Sequence, residues 1–174
     1  MPLRILLSSE QIQTRIKELG AQIDADYPSG ALTLVCILKG AFVFLADLSR
    51  AIQRETVIEF MGISSYGKGK TSSGEVKVTK DLDNSVEGAN VLIVEDIVDS
   101  GVTLSYLTQV LRQRKPQSVR IAALLDKPER RLRPVHVSYV GFQIPDEFVV
   151  GYGLDYAEKY RNLDSICVLQ DTGQ

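Results

Sequence analysis

The chain has 174 residues, 44% of them hydrophobic, with 20 basic against 22 acidic side chains and a net charge of −2. That is the size of one ordinary domain with a substantial core, and the charge balance speaks against a general attraction to nucleic acid. No apolar run approaches the ~18–20 residues that cross a bilayer. One histidine and two cysteines leave no basis for a histidine metal cluster or a disulfide framework.

The first ten residues hold an apolar stretch too short for a secretory signal. Cys36 and Cys167 each lie in apolar runs, which predicts buried thiols in a reduced cytoplasm. Ser9 is placed to cap a helix whose Ile12, Ile16, Leu19 and Ile23 form one apolar face. Tyr27-Pro28-Ser29-Gly30 ends it. A strand over 31–38, a turn at Lys39-Gly40 and a helix over 41–52 follow, then a β-branched strand over 56–64. Residues 65–74 are glycine- and serine-rich, and Val76-Lys77-Val78 alternates as an exposed strand.

Next comes a buried strand over 91–95, a helix over 103–114 with Leu104, Leu107 and Leu111 inward, and a stop at Lys115-Pro116. Strands over 119–125, 137–140, 148–150 and 166–169 complete the chain, and His136 reads as structural. Strand–helix–strand units at this spacing predict one α/β domain over 1–174, with a mostly parallel twisted sheet flanked by helices and a small lobe from the chain ends.

The chemistry concentrates in Val91-Leu92-Ile93-Val94-Glu95-Asp96-Ile97-Val98-Asp99-Ser100-Gly101-Val102-Thr103. Open α/β sheets bind ligands at the carboxyl ends of their strands. There Ser100, Gly101 and Thr103 can form a tight loop whose amides, with the following helix N-terminus, attract an anion beside three carboxylates. Carboxylates accept hydrogen bonds from a diol, whereas loop amides donate to a phosphate. The segment therefore needs a ligand with both a phosphate and something cationic or hydroxylic.

This segment resembles the signature of the type I phosphoribosyltransferases, which use 5-phosphoribosyl-1-pyrophosphate (PRPP). Three further segments narrow the resemblance to the hypoxanthine-guanine branch: Leu38-Lys39-Gly40, the loop beginning Ser65-Tyr66, and Leu125-Asp126-Lys127-Pro128 with Phe148-Val149-Val150-Gly151-Tyr152-Gly153-Leu154-Asp155-Tyr156. The resemblance implies that fold, with a hood from the chain ends. It also implies that Glu95 and Asp96 bind the ribose hydroxyls, that Ser100, Gly101, Val102 and Thr103 hold the 5′-phosphate, and that Lys39, Gly40 and Arg161 hold pyrophosphate. The Leu38–Lys39 bond is one that can be cis in the family. Ser65 and Tyr66 begin a mobile lid over about 65–75 that would exclude water from a ribosyl-cation-like transition state.

Lys127, Phe148, Val149 and Asp155 build the purine site by the same resemblance. Lys127 carries donors only, so it suits a 6-oxo group and should reject a 6-amino group. Mg²⁺ is the implied cofactor, on Asp155 with Glu95 and Asp96. Asp99 is the candidate general base. The implied reaction is purine salvage: phosphoribosyl transfer from PRPP to N9 of hypoxanthine or guanine, giving IMP or GMP.

Glu147 stands where some relatives have a basic residue before the stacking aromatic, and Val102 where some have lysine. Two other readings stay open: a xanthine-preferring enzyme, and a PRPP-binding regulator of nucleic acid. The regulator would need a basic face, and Arg130-Arg131-Leu132-Arg133 is the one dense cluster, expected to be a solvated loop or subunit contact. The resemblance implies a homodimer or homotetramer with no membrane partner.

Overall fold

A computed structural model describes residues 1–65 and 76–170. Its centre is a six-stranded sheet in the order β4-β3-β2-β5-β6-β7. The strands are β2 (Leu32–Leu38), β3 (Thr56–Ser65), β4 (Val76–Lys80), β5 (Asn90–Val98), β6 (Ser118–Asp126) and β7 (Tyr139–Gln143). Only β4 runs antiparallel, against β3; the other pairings are parallel. Helix α2 (Phe42–Ala51) connects β2 to β3, and α3 (Val102–Arg112) connects β5 to β6.

Successive strand residues face opposite ways, and this divides the core. Leu32, Leu34 and Cys36 of β2, Leu92 and Val94 of β5, and Ala122 and Leu124 of β6 meet α2 and α1 (Ser9–Asp26). Val35, Ile37, Val91, Ile93, Ile121 and Ala123 meet Leu104, Leu107 and Leu111 of α3 on the other face. Burial on both faces is why the middle of β5 reads as an unbroken aliphatic run, Val91-Leu92-Ile93-Val94. The α1 stripe Ile12, Ile16, Leu19 and Ile23 is fully buried, each side chain contributing about 1.5–3 kcal/mol relative to exposure.

The cap of α1 is Ser8, one residue before the one expected. Its hydroxyl accepts from the Gln11 amide while the Gln11 side chain accepts from the Ser8 amide, a reciprocal box that Ser9 has no glutamine to complete. Arg15 of α1 donates to the Val140 and Gly141 carbonyls at 2.8 and 2.9 Å, covering the open edge strand β7.

Both chain ends build a second sheet in the order β1-β9-β8, from β1 (Leu3–Leu7), β8 (Val149–Val150) and β9 (Ile166–Leu169). Val149, Ile166 and Val168 join the α1/α2 side of the main core, so this is the expected hood. Strand β1 had no counterpart in the sequence reading. The expected strand over 137–140 begins two residues later, at Tyr139, where pairing with Ala122 of β6 starts. Among the described residues, no helix is long and apolar enough to cross a membrane.

Candidate active site

Three adjacent parallel strands, β2, β5 and β6, end at Leu38, Val98 and Asp126. The next residues are Lys39, Asp99 and Lys127, so three separated motifs open onto one sheet edge. Strand β5 is longer than its aliphatic run: Glu95 and Asp96 are still in the ladder, and the turn begins only at Asp99.

That turn leaves the amide end of α3 uncapped and facing a cleft. Gly101 sits at φ +81° as the N-terminal boundary of α3, with no side-chain cap on the helix. A Cβ there would come within 2.6 Å of the Arg133 carbonyl and would be strained by the left-handed backbone as well. The Ser100 carbonyl accepts from the Leu132 and Arg133 amides at 2.8 and 3.0 Å, lashing the 127–133 segment onto the loop. The cleft in front is lined by Glu95, Asp99, Ser100, Gly101 and Thr103 with the apolar Ile37, Ile63 and Leu104. Val102 is the first helical residue, and its amide donates to Ser100 Oγ at 3.3 Å.

A second cleft adjoins it, lined by Asp96, Asp99, Lys127, Arg130, Asp146, Phe148, Val149 and Asp155. Asp99 lines both clefts. Glu95 opens to the first and Asp96 to the second. Burial, then the Asp96 charge, pushes the Glu95 carboxyl well above its usual value. Gly40 lies directly against the Asp96 carboxylate, which a Cβ at that position would occupy. The Leu38–Lys39 peptide is cis.

Lys127 is buried, and its ammonium donates to the Glu147 carbonyl at 2.7 Å, with Asp146 at 3.6 Å. Phe148 is 54% exposed, lines the cleft and makes a T-shaped contact with Tyr156. Val149 is held in β8 against Val168. Glu147 forms an ion pair with Arg4 at 2.7 Å, so its side chain turns to the hood strand β1.

On the far side, Asp155 accepts from the Glu158 amide at 2.8 Å and lies 3.3 Å from Arg161. Arg161 also donates to the Gly153 carbonyl at 2.8 Å. Lys39 pairs with Glu158 at 2.8 Å, which holds the Glu158 carboxyl below its usual value. Ser65 closes β3. Tyr66 and the rest of the expected lid lie outside the described residues.

Asp146 and Glu158 were absent from the sequence reading, and Arg130 entered it only as part of a basic cluster. The Arg130–Arg133 cluster, expected to be a solvated loop or subunit contact, is largely exposed, with Leu132 77% accessible, while two of its arginines reach back to the site. Arg130 meets Asp99 at 2.6 Å and Asp146 at 3.2 Å, and Arg131 is paired with Asp126 and the Asp99 carbonyl. The acids that neutralise the cluster are brought in by the fold, and only the cluster itself was visible as a signal. His136 is exposed, and Cys36 and Cys167 are free and buried.

The phosphoribosyl transferase domain model matches residues 4–157. The chain is 52% identical over 167 residues to the hypoxanthine-guanine phosphoribosyltransferase of Bacillus subtilis, covering 96% of this chain and 93% of that protein. The Mycobacterium avium protein of the same name is 52% identical over 171 residues, at 95% and 84% coverage. A crystal structure of a hypoxanthine-guanine phosphoribosyltransferase from Bacillus anthracis, with a HEPES molecule in its active site, superposes with a TM-score of 0.93. It is 48% identical and covers 96% of this chain and 98% of that one. The two adjoining clefts at the strand ends accord with these likenesses, which show that the chain belongs to the phosphoribosyltransferase family, in its hypoxanthine-guanine branch.

Proposed function

We propose that the two joined clefts carry out phosphoribosyl transfer from PRPP to N9 of a 6-oxopurine, with the residues in the following roles. The observation that carries this reading is Asp99, which lines both the anion cleft and the cleft holding Lys127 and Phe148. A proton acceptor for the incoming base must stand there.

The 5′-phosphate sits on the amides of Ser100–Thr103 and the ribose hydroxyls on Glu95 and Asp96. Pyrophosphate sits against Lys39, Gly40 and Arg161. The purine lies on Phe148, its 6-oxo group accepting from Lys127 and its edge read by the Val149 backbone. The C1′–oxygen bond to pyrophosphate breaks as the C1′–N9 bond forms, and Asp99 takes the N7 proton. Carboxylates beside the ribose stabilise the positive charge that develops on it.

Mg²⁺ suits this site. Asp96 and Asp155 line the same cleft, and magnesium prefers one or two carboxylates with substrate oxygens and waters completing its shell. Bound there, it would neutralise charge on the departing pyrophosphate. Residues 65–75 act as the lid of a single phosphoribosyltransferase unit working in the cytoplasm. Exposed Phe42, Val57 and Ile58, on the helix and strand that follow the Lys39 turn, fit a homodimer or homotetramer contact.

The test is nucleotide formation from PRPP with hypoxanthine, guanine, xanthine, adenine and uracil, with and without Mg²⁺. The expected result is IMP or GMP, dependent on magnesium, with adenine far slower. PRPP binding without product from any base would overturn the reading in favour of a regulator. Faster turnover of xanthine would reassign the base.

A further inference from the structure

We propose that Glu158 is a resident counter-anion of the pyrophosphate site, occupying its two cations until the substrate's leaving group displaces it. The inference rests on the assignment of Lys39 and Arg161 to pyrophosphate above.

Geometry carries the argument. One Glu158 oxygen lies 2.8 Å from the Lys39 ammonium and the other 3.4 Å from an Arg161 terminal nitrogen. A single carboxylate thus bridges a cation from the β2 loop and a cation 122 positions later in the chain by number. With Asp155 at 3.3 Å from the same Arg161 nitrogen, two cations face two carboxylates. The cluster is neutral before any phosphate arrives. Arg161 is mostly buried and anchored to the Gly153 carbonyl through one terminal nitrogen, so its other terminal nitrogen is the one held toward the carboxylates.

The backbone that presents Glu158 is unusual. Tyr156 and Lys159 exchange hydrogen bonds of 3.1 and 3.0 Å, and the two residues between them, Ala157 and Glu158, have φ of +50° and +65°. Both central residues at positive φ define a type I′ turn, for which Asn-Gly is the ordinary solution. A non-glycine pair in this conformation is costly and points to a functional constraint. Here the second position carries the side chain that reaches Lys39; glycine would relieve the turn and lose the carboxylate.

Displacement is feasible because the Lys39–Glu158 pair is two-thirds exposed on both sides. Exposed ion pairs are weak individually, and a pyrophosphate offers the same cations several oxygens at once. Glu158 can swing into solvent while its backbone stays in the turn. After transfer, its return would compete with pyrophosphate for Lys39 and speed product release.

The experiment is calorimetric titration of inorganic pyrophosphate, in magnesium buffer, into the wild-type chain and Glu158→Gln. Product inhibition by pyrophosphate is measured in parallel. The expected outcome is roughly 3–10-fold tighter binding and a matching fall in the inhibition constant for Glu158→Gln. In a Lys39→Met background the gain should shrink. Equal or weaker binding by Glu158→Gln, or an undiminished gain without Lys39, would overturn the role of Glu158 alone. A wild-type chain that makes nucleotide yet neither binds nor is inhibited by pyrophosphate would overturn the assignment of Lys39 and Arg161 and this inference with it.

Discussion

Asp99 Oδ1 accepts a 2.6 Å hydrogen bond from Arg130 Nε, so the carboxylate assigned to take the purine proton is engaged by a cation from the loop after the next strand. The same guanidinium reaches Asp146. Lys127 likewise holds the Glu147 carbonyl, and Lys39 holds Glu158. These three groups assigned to substrate already have internal partners in the fold, which the arriving substrate would have to share or displace.

Replacing Asp99 with alanine should slow the chemical step by about 10²–10⁴-fold, the usual contribution of a positioned general base. PRPP affinity should change little, because the cradle amides of 100–103 remain. Single-turnover kinetics with a separate PRPP titration checks this. Wild-type turnover with chemistry rate-limiting would remove Asp99 from the role.

Lys127→Ala should chiefly damage discrimination. A site that presents a buried donor to a substrate oxygen can reject an analogue lacking it by about 10⁴–10⁵. The ratio of kcat/KM for hypoxanthine over adenine should fall by at least about 10²-fold in this variant. An unchanged ratio would show that some other group reads the 6-position.

A third expectation concerns stability. The Tyr152 hydroxyl donates to Asp47, which also takes Gln13 and Arg50, tying the 151–154 turn to α1 and α2. Burial alone would raise the Asp47 carboxyl, but the hydrogen bonds from Tyr152, Gln13 and Arg50 outweigh it and hold the carboxyl below its usual value. A lowered carboxylate stabilises the fold above the unfolded value, about 3.9, and this is lost as pH falls through the lower folded value. Tyr152→Phe should therefore cost about 1–2 kcal/mol near neutral pH. The difference from wild type, measured by urea unfolding, should narrow below about pH 4. A constant difference down to acid denaturation would separate the two residues.

Cys36 offers a chemical check on the core. Burial, reinforced by the charges of Glu95 and Asp96, pushes its thiol up to about 12. Iodoacetamide at pH 8 should leave Cys36 of the folded chain unmodified and label it after unfolding in guanidinium. Prompt labelling of the folded chain at Cys36 would contradict a closed sheet at that point.

Much of this was readable along the chain. The aliphatic run of β5, Val91-Leu92-Ile93-Val94, carries no polar residue to interrupt it, so a strand buried on both faces was legible there, as was the amphipathic stripe of α1. The candidate residues after β5 are contiguous, which is why the anion loop stood out. Glu95 and Asp96 concealed the length of β5, because two adjacent carboxylates look like a turn unless something beyond the sheet needs them. Strand β1 was obscured by its exposed Leu3 and Ile5, and by a partner at the opposite chain end, Leu169 and Cys167. Contacts such as Arg130 with Asp99, and Lys39 with Glu158, join residues 31 and 119 positions apart. No local pattern encodes them; they exist only once the strands are laid side by side.

The sheet edge also works as a ruler. Neighbouring strands are spaced about 4.8 Å apart, so β2 and β6, two spacings apart, keep Lys39 and Lys127 roughly 10 Å apart measured across the sheet, with the Asp99 strand between. That interval is set by backbone hydrogen bonds in the most buried part of the molecule, where side-chain substitution has the least leverage. Loops after these strands can therefore be rewritten to accept another base or another leaving group while the distance between them stays constant. An engineer who wants a longer acceptor must build outward from the edge, because the gauge itself does not stretch.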